Sequence, residues 1–126
     1  MRTDREELTR LEWVVMDALW QAERGTASDM QKLLQPSQGW AYSTVKTMLD
    51  RLVAMGYIQA RRVGNVYEYT PKIKRPKAVG KVVDAMVDRL FGGEVAPLVL
   101  HLIERGDFEK EDVQRLKKIL EQYQDE

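Results

Sequence analysis

Ser43, Thr44, Lys46, Thr47 and Arg51 fall close together in the chain, and Arg61, Arg62 and Asn65 follow shortly after. These side chains recognise rather than react. The hydroxyls and methyls of Ser and Thr can meet base edges, a lysine can reach a guanine or a phosphate, and Arg51 is placed for phosphate. Tyr42, at the head of the group, either hydrogen-bonds a phosphate or sits at the edge of a core. Asp50 stands among them with the opposite charge. It lies four residues after Lys46, so it can pair with that lysine or accept from a cytosine. Catalysis has no comparable basis: the sequence holds one histidine and no cysteine. Without a nucleophile–base pair, a metal triad or a glycine-rich phosphate loop, no enzyme activity, metal or cofactor is expected.

The elements that must position these groups are legible around them. Val45, Met48, Leu49 and Leu52 recur at i, i+3, i+4 and i+7, one apolar stripe of a helix that Gly56 ends. Ser43, Lys46, Thr47, Asp50 and Arg51 lie off that stripe, with Thr44 at its border. Tyr57 to Val63 and Val66 to Thr70 are β-prone runs joined by Gly64-Asn65, which reads as a hairpin. Arg61, Arg62 and Asn65 on it would meet the DNA backbone or minor groove. A polar and basic helix followed by a basic hairpin is the recognition half of a winged helix-turn-helix.

Upstream, residues 1–7 are polar and expected to fray. Thr9 and Glu12 have capping-box spacing, with Leu8 and Trp13 placed to form a hydrophobic staple. Leu11, Val15, Ala18 and Leu19 then predict a helix to near Gln21. Trp13 and Trp20 read as core or core-edge aromatics, because no basic or polar constellation surrounds them. Gly25-Thr26 breaks the pattern, and Thr26 with Asp29 begins a short helix from about Ala27 to Leu34. Met30, Leu33 and Leu34 are expected inward, and Pro36 to Gly39 to form the turn before the recognition helix.

Downstream, Pro71 to Lys77 is a basic connector, read either as a linker or as a source of further phosphate contacts. A helix starts near Pro76 and carries Val79, Val82, Val83, Met86, Val87, Leu90 and Phe91 in steps of three and four. Gly92-Gly93 ends it. Leu98, Leu102 and Ile103 mark a helix ending at Gly106, and a last one from about Glu109 carries Val113, Leu116, Ile119, Leu120 and Tyr123. So short a helical segment rarely buries enough apolar surface to stand alone, and packing against a second copy is the expected solution. The expected dimer interface draws on Val79, Val83, Met86, Val87, Leu90 and Phe91, then on Leu98 and Leu102, then on Leu116 and Leu120. The predicted architecture is mostly α with a small β-hairpin: a winged-helix DNA-binding domain over residues 1–75 and a helical dimerisation module over 76–126.

Charge supports this division. The net charge is zero, but residues 40–77 hold 8 basic and 2 acidic side chains, while residues 78–126 hold 7 and 11. A local basic surface is the footprint of phosphate binding. No apolar run approaches the roughly 18 residues of a membrane span. The charged N-terminus and the absence of cysteine fit a cytoplasmic protein with no membrane insertion.

LTRLEWVVMDALW, GWAYSTVKTMLDRLVAMGYI, the RRVGNVYEYTP hairpin, RLFGG and LVLHLIERGDFEKEDVQRLKKILE together resemble the penicillinase-repressor (BlaI/MecI-type) family. The resemblance runs from about Leu8 to Leu120. It implies a homodimeric transcriptional repressor whose winged helices bind a palindromic double-stranded DNA operator. It also implies that a membrane sensor-protease triggers cleavage within the C-terminal module and so separates the dimer from DNA. Two differences stand out. Some relatives begin the recognition helix Trp-Ser-Pro-Lys-Thr where this chain has Trp40-Ala41-Tyr42-Ser43-Thr44, so the operator sequence does not carry over. Where β-lactam-responsive members have an Asn-Phe cleavage pair this chain has His101-Leu102, which argues against cleavage at that bond. The copper-responsive branch uses cysteine ligands and is excluded. The competing reading is a winged-helix protein-interaction module that does not read DNA, because fold alone does not decide function.

Overall fold

The computed structural model describes residues 7–124, so the fraying expected of residues 1–6 lies outside the described residues. The chain divides into two compact units between Val82 and Val83.

The first unit begins with α1 (Arg10–Ala22), β1 (Gly25–Thr26), α2 (Ala27–Gln38) and α3 (Tyr42–Ala54). It continues through β2 (Ile58–Val63) and β3 (Val66–Pro71) into the first turns of α4 (Arg75–Phe91). Both capping boxes form. The Thr9 hydroxyl accepts from the Glu12 amide at 3.2 Å while the Glu12 carboxylate accepts from the Thr9 amide at 2.9 Å. Thr26 and Asp29 repeat the arrangement at 3.1 and 3.0 Å. Each box satisfies two amides that a helix start leaves without intrahelical partners.

The strands form an antiparallel sheet in the order β1–β3–β2. The β2–β3 loop is the predicted Gly64-Asn65. Gly64 takes φ 64° and Asn65 has no positive φ, as a type II′ hairpin loop requires. That loop sets the register Val63–Val66, Arg62–Tyr67, Arg61–Glu68 and Ala60–Tyr69. The two-residue strand β1 pairs Gly25 with Tyr69 and Thr26 with Glu68, where the sequence shows only a break. It has no strand pattern of its own and exists because β3 is there to pair with it.

Val15, Met16, Leu19, Met30, Leu34, Val45, Leu49, Leu52, Tyr57, Ile58 and Tyr69 form the core, with Ala78 of α4 buried among them. The whole predicted stripe of α3 is buried. Three expectations need correction. Leu11 and Leu33 are exposed rather than inward. The buried faces run through Glu12, Val15, Met16 and Leu19 on α1 and through Ala27, Met30 and Leu34 on α2. Successive residues are about 100° apart round a helix, which carries Leu11 off the first face and Leu33 off the second. The second helix also does not stop at Leu34. It runs through Pro36 to Gln38, and Gly39, at φ 66°, closes it by donating to the Gln35 carbonyl at 2.9 Å. A proline so near the end forfeits a single amide donor, and the turn is shortened to Gly39–Ala41.

The third correction concerns Trp13 and Trp20, which do pack against the core but have charged company. Their ring centroids lie 5.8 Å apart, and the Arg75 guanidinium sits 5.9 Å from each. Arg75 Nε donates to Asp17 at 2.8 Å, and the Trp20 indole N–H donates to the Ile73 carbonyl at 2.9 Å. With Ala78 in the core and Lys81 Nζ 5.2 Å from the Tyr57 ring centroid, the start of α4 is anchored on the first unit.

The second unit holds the remainder of α4, α5 (Ala96–Arg105) and α6 (Lys110–Gln124). Pro97 lies in the first turn of α5, and Gly106 caps its end at φ 74°. Val87 is the one apolar side chain of this unit that is buried among the described residues. Leu90, Leu100, Leu102, Ile103, Leu116, Ile119, Leu120 and Tyr123 are all exposed. No described helix is long and apolar enough to cross a membrane.

Candidate nucleic-acid interface

Helix α3 turns one face inward and the other to solvent. Val45, Leu49 and Leu52 are fully buried, and their burial leaves Ser43, Thr44, Thr47 and Asp50 on the exposed side. The helix starts at Ala41, which offers no side-chain cap. The first amides of α3 therefore lack the hydroxyl or carboxylate acceptor that both α1 and α2 have. A shallow cleft runs between the start of α1 and this face, lined by Thr9, Leu11, Ser43, Thr44, Thr47 and Arg51.

Of the two readings of Asp50, its pairing with Lys46 is the one present in the structure. Lys46 Nζ lies 2.9 Å from both carboxylate oxygens. The Tyr69 hydroxyl, reaching over from β3, donates to the same carboxylate at 3.2 Å, and Lys46 Nζ lies 5.9 Å from the Tyr69 ring centroid. The carboxylate, and then Tyr69, hold the lysine pKa above its ordinary value. Burial pushes the Tyr69 phenol up, so it stays a neutral donor.

Arg51 extends toward α1, where its guanidinium is 3.6 Å from the fully buried carboxylate of Glu12. Arg61 is paired across the hairpin with Glu68 at 3.2 Å. Arg62 donates to the Gly64 carbonyl at 3.1 Å and has no carboxylate partner among the described residues. Asn65 is exposed at the tip of the hairpin. Tyr42 is exposed rather than at the core edge, and lines a second cleft with Lys46, Asn65, Val66, Tyr67 and Tyr69.

The structure thus brings the helix group and the hairpin group to neighbouring elements, joined by Tyr69 and Asp50. Sequence reasoning did not find the parts played by Tyr69, Glu68 and Glu12. The Glu68–Arg61 pair was available from the hairpin, because a two-residue loop sets the register and register sets the cross-strand partner. Glu12 signalled only its capping role. Nothing local indicated that its carboxylate would also face Arg51.

Comparison with known proteins agrees with this geometry. The family model described as penicillinase repressor matches residues 8–122. The penicillinase repressor of Bacillus licheniformis is 26% identical over 117 residues, covering 93% of this chain and 91% of that one. The methicillin resistance regulatory protein MecI of Staphylococcus aureus is 23% identical over 114 residues, covering 90% and 93%. Among solved structures, the DNA-binding domain of the repressor BlaI superposes with a TM-score of 0.52 at 28% identity, covering 56% of this chain and 85% of that domain. With the match running through both units, the chain belongs to the penicillinase repressor family.

Proposed function

We propose that this protein is a cytoplasmic homodimeric transcriptional repressor that binds a palindromic DNA operator, with α3 in the major groove and the β2–β3 hairpin as its wing. The observation that carries the reading is the two-sided character of α3: a fully buried stripe backs an exposed row of Ser43, Thr44 and Thr47. Such a helix fits a groove roughly 12 Å wide. Thr47 and its neighbours read bases, while Arg62 and Asn65 contact the backbone or minor groove. Arg51 and Arg61 also act there, each carrying a carboxylate partner that lowers its net charge. Family membership supports the same reading.

The dimer is formed by the helical segment 76–126. Its exposed leucines and isoleucines would leave a large apolar patch on a monomer, and such patches mark interaction surfaces. A second copy is the occupant that suits a palindrome, because a twofold dimer presents two recognition helices to two half-sites. Repression is relieved when this module is broken, and cleavage triggered by a membrane sensor-protease is the form the family resemblance implies.

The test compares the intact chain with a fragment ending at Val82, which retains Ala78 and Lys81 on the first unit. The DNA is a palindrome selected by the protein from a random pool, together with one of its half-sites. Joining two modules makes the second contact intramolecular and raises affinity by about 10²–10⁴. The fragment should match the intact chain on one half-site and fall behind by that factor on the palindrome. Equal affinity for the palindrome would refute dimer linkage. Affinity that does not fall with salt would favour a protein-interaction module over a DNA reader.

A further inference from the structure

Residues 40–77 contain two acidic side chains, Asp50 and Glu68, and each is held by a cation. They are not equivalent. Glu68 lies on the wing, across from Arg61. Asp50 stands on α3 itself, where 3.6 residues per turn place it on the same side as Ser43 and Thr47. A carboxylate in the middle of a surface that meets a polyanion is repelled by it. Here that carboxylate also holds Lys46 through both oxygens and is held in turn by the Tyr69 hydroxyl.

We propose that Asp50 is a specificity-determining residue, which withholds Lys46 from indiscriminate phosphate contact and presents ammonium and carboxylate together to a G·C base pair. The inference rests on the DNA-reading function above. To reach a phosphate, Lys46 must leave Asp50, and the bared carboxylate then faces the DNA backbone. Contact with an arbitrary sequence is opposed in this way. A G·C pair removes the conflict, because its major-groove edge sets the guanine O6 and N7 acceptors beside the cytosine N4 donor. Lys46 meets the guanine, Asp50 meets the cytosine amino group, and neither charge is stranded. Tyr69 holds the carboxylate from β3, so the wing and the recognition helix are positioned as one piece.

The experiment uses the full chain as wild type, Asp50→Asn, Glu68→Gln and Lys46→Met. The probes are a duplex selected by the wild type from a random pool and a scrambled duplex of the same composition, titrated over a range of salt. Asp50→Asn should bind the scrambled duplex more tightly, with a salt slope steeper by about one unit as the freed lysine gains one phosphate. Its preference for the selected duplex should fall about tenfold, the scale of one misread base pair. Selection repeated with this variant should lose a G·C requirement at one position in each half-site. Glu68→Gln removes the same charge from the wing and should tighten both duplexes alike, leaving the preference intact.

Lys46→Met gives an independent reading should Asp50→Asn fail to fold. It bares the Asp50 carboxylate, so it should bind both duplexes more weakly than the wild type, and its preference for the selected duplex should fall because the guanine is no longer met. An unchanged slope and preference in Asp50→Asn would overturn the proposal, as would an unchanged preference in Lys46→Met. If the wild type shows no salt-dependent binding to any duplex, the DNA-reading function fails and the role of Asp50 falls with it. If the wild type binds and only the variants fail to respond, the role of Asp50 alone is refuted.

Discussion

Leu90 offers the sharpest test of the proposed dimer. It lies on α4 in the second unit, and 62% of its surface is exposed in the single chain. Fully burying a leucine stabilises by about 1.5–3 kcal/mol, so covering the part still exposed contributes about 1–2 kcal/mol per copy. A twofold interface contains the position twice, and Leu90→Ala should therefore weaken the dimer by about 2–4 kcal/mol. That corresponds to roughly a 30- to 1000-fold rise in the dimer dissociation constant. The protomer itself should melt unchanged, because little of this side chain is packed within it. Val87 supplies the contrast. Only 8% of its surface is exposed, so it is already covered within the chain. Val87→Ala should lower the stability of the protomer, by about 1–2 kcal/mol at most for the methyl groups removed. Sedimentation equilibrium over a dilution series measures the first effect, and thermal melts of the dissociated protein measure the second. If Leu90→Ala dissociates at the same concentration as the wild type, the α4 seam is not the interface.

Three further outcomes follow from the first unit. Glu12→Ala should cost about 2–4 kcal/mol in denaturant unfolding, from a buried charge-assisted hydrogen bond to the Thr9 amide together with lost packing, and Glu12→Gln should cost less because it keeps an acceptor. An unchanged midpoint for Glu12→Ala would show that the carboxylate is dispensable. Asp29 is held below the usual carboxylate range by the Thr26 amide and then the Thr26 hydroxyl, so its stabilising effect is present above the unfolded value and lost as pH falls through the lower folded one. Unfolding free energies at neutral pH and below pH 3.8 should differ less for Asp29→Asn than for the wild type, and an equal difference would refute the linkage. Glu23 ends α1 at φ 73°, a conformation that favours glycine, so Glu23→Gly should raise the melting temperature by stabilising the fold by about 1 kcal/mol. A lowered melting temperature would mean that side-chain contacts of Glu23 outweigh the backbone strain.

What the sequence determined by itself is what local rules encode. The stripe of Val45, Met48, Leu49 and Leu52 requires a helix with one buried side, and that side leaves Ser43 and Thr47 facing outward. Gly64-Asn65 sets the hairpin and its register, and the Thr–Glu and Thr–Asp spacings set two helix starts. Each of these depends on residues a few positions apart, so periodicity and turn chemistry suffice. Tertiary structure decided the rest. It seats Arg75 against Trp13 and Trp20, aims the Glu12 carboxylate at Arg51, brings the Tyr69 hydroxyl to Asp50, and makes a strand of Gly25-Thr26. These contacts join residues far apart in the chain, and their partners become neighbours only once helices and sheet have packed. Arg51 and Arg75 carry no mark in sequence of the carboxylates that face them, because Glu12 and Asp17 lie far away along the chain. For that reason the exposed face of α3 and its Lys46–Asp50 pair were legible in advance, while the approach of Glu12 to Arg51 was not.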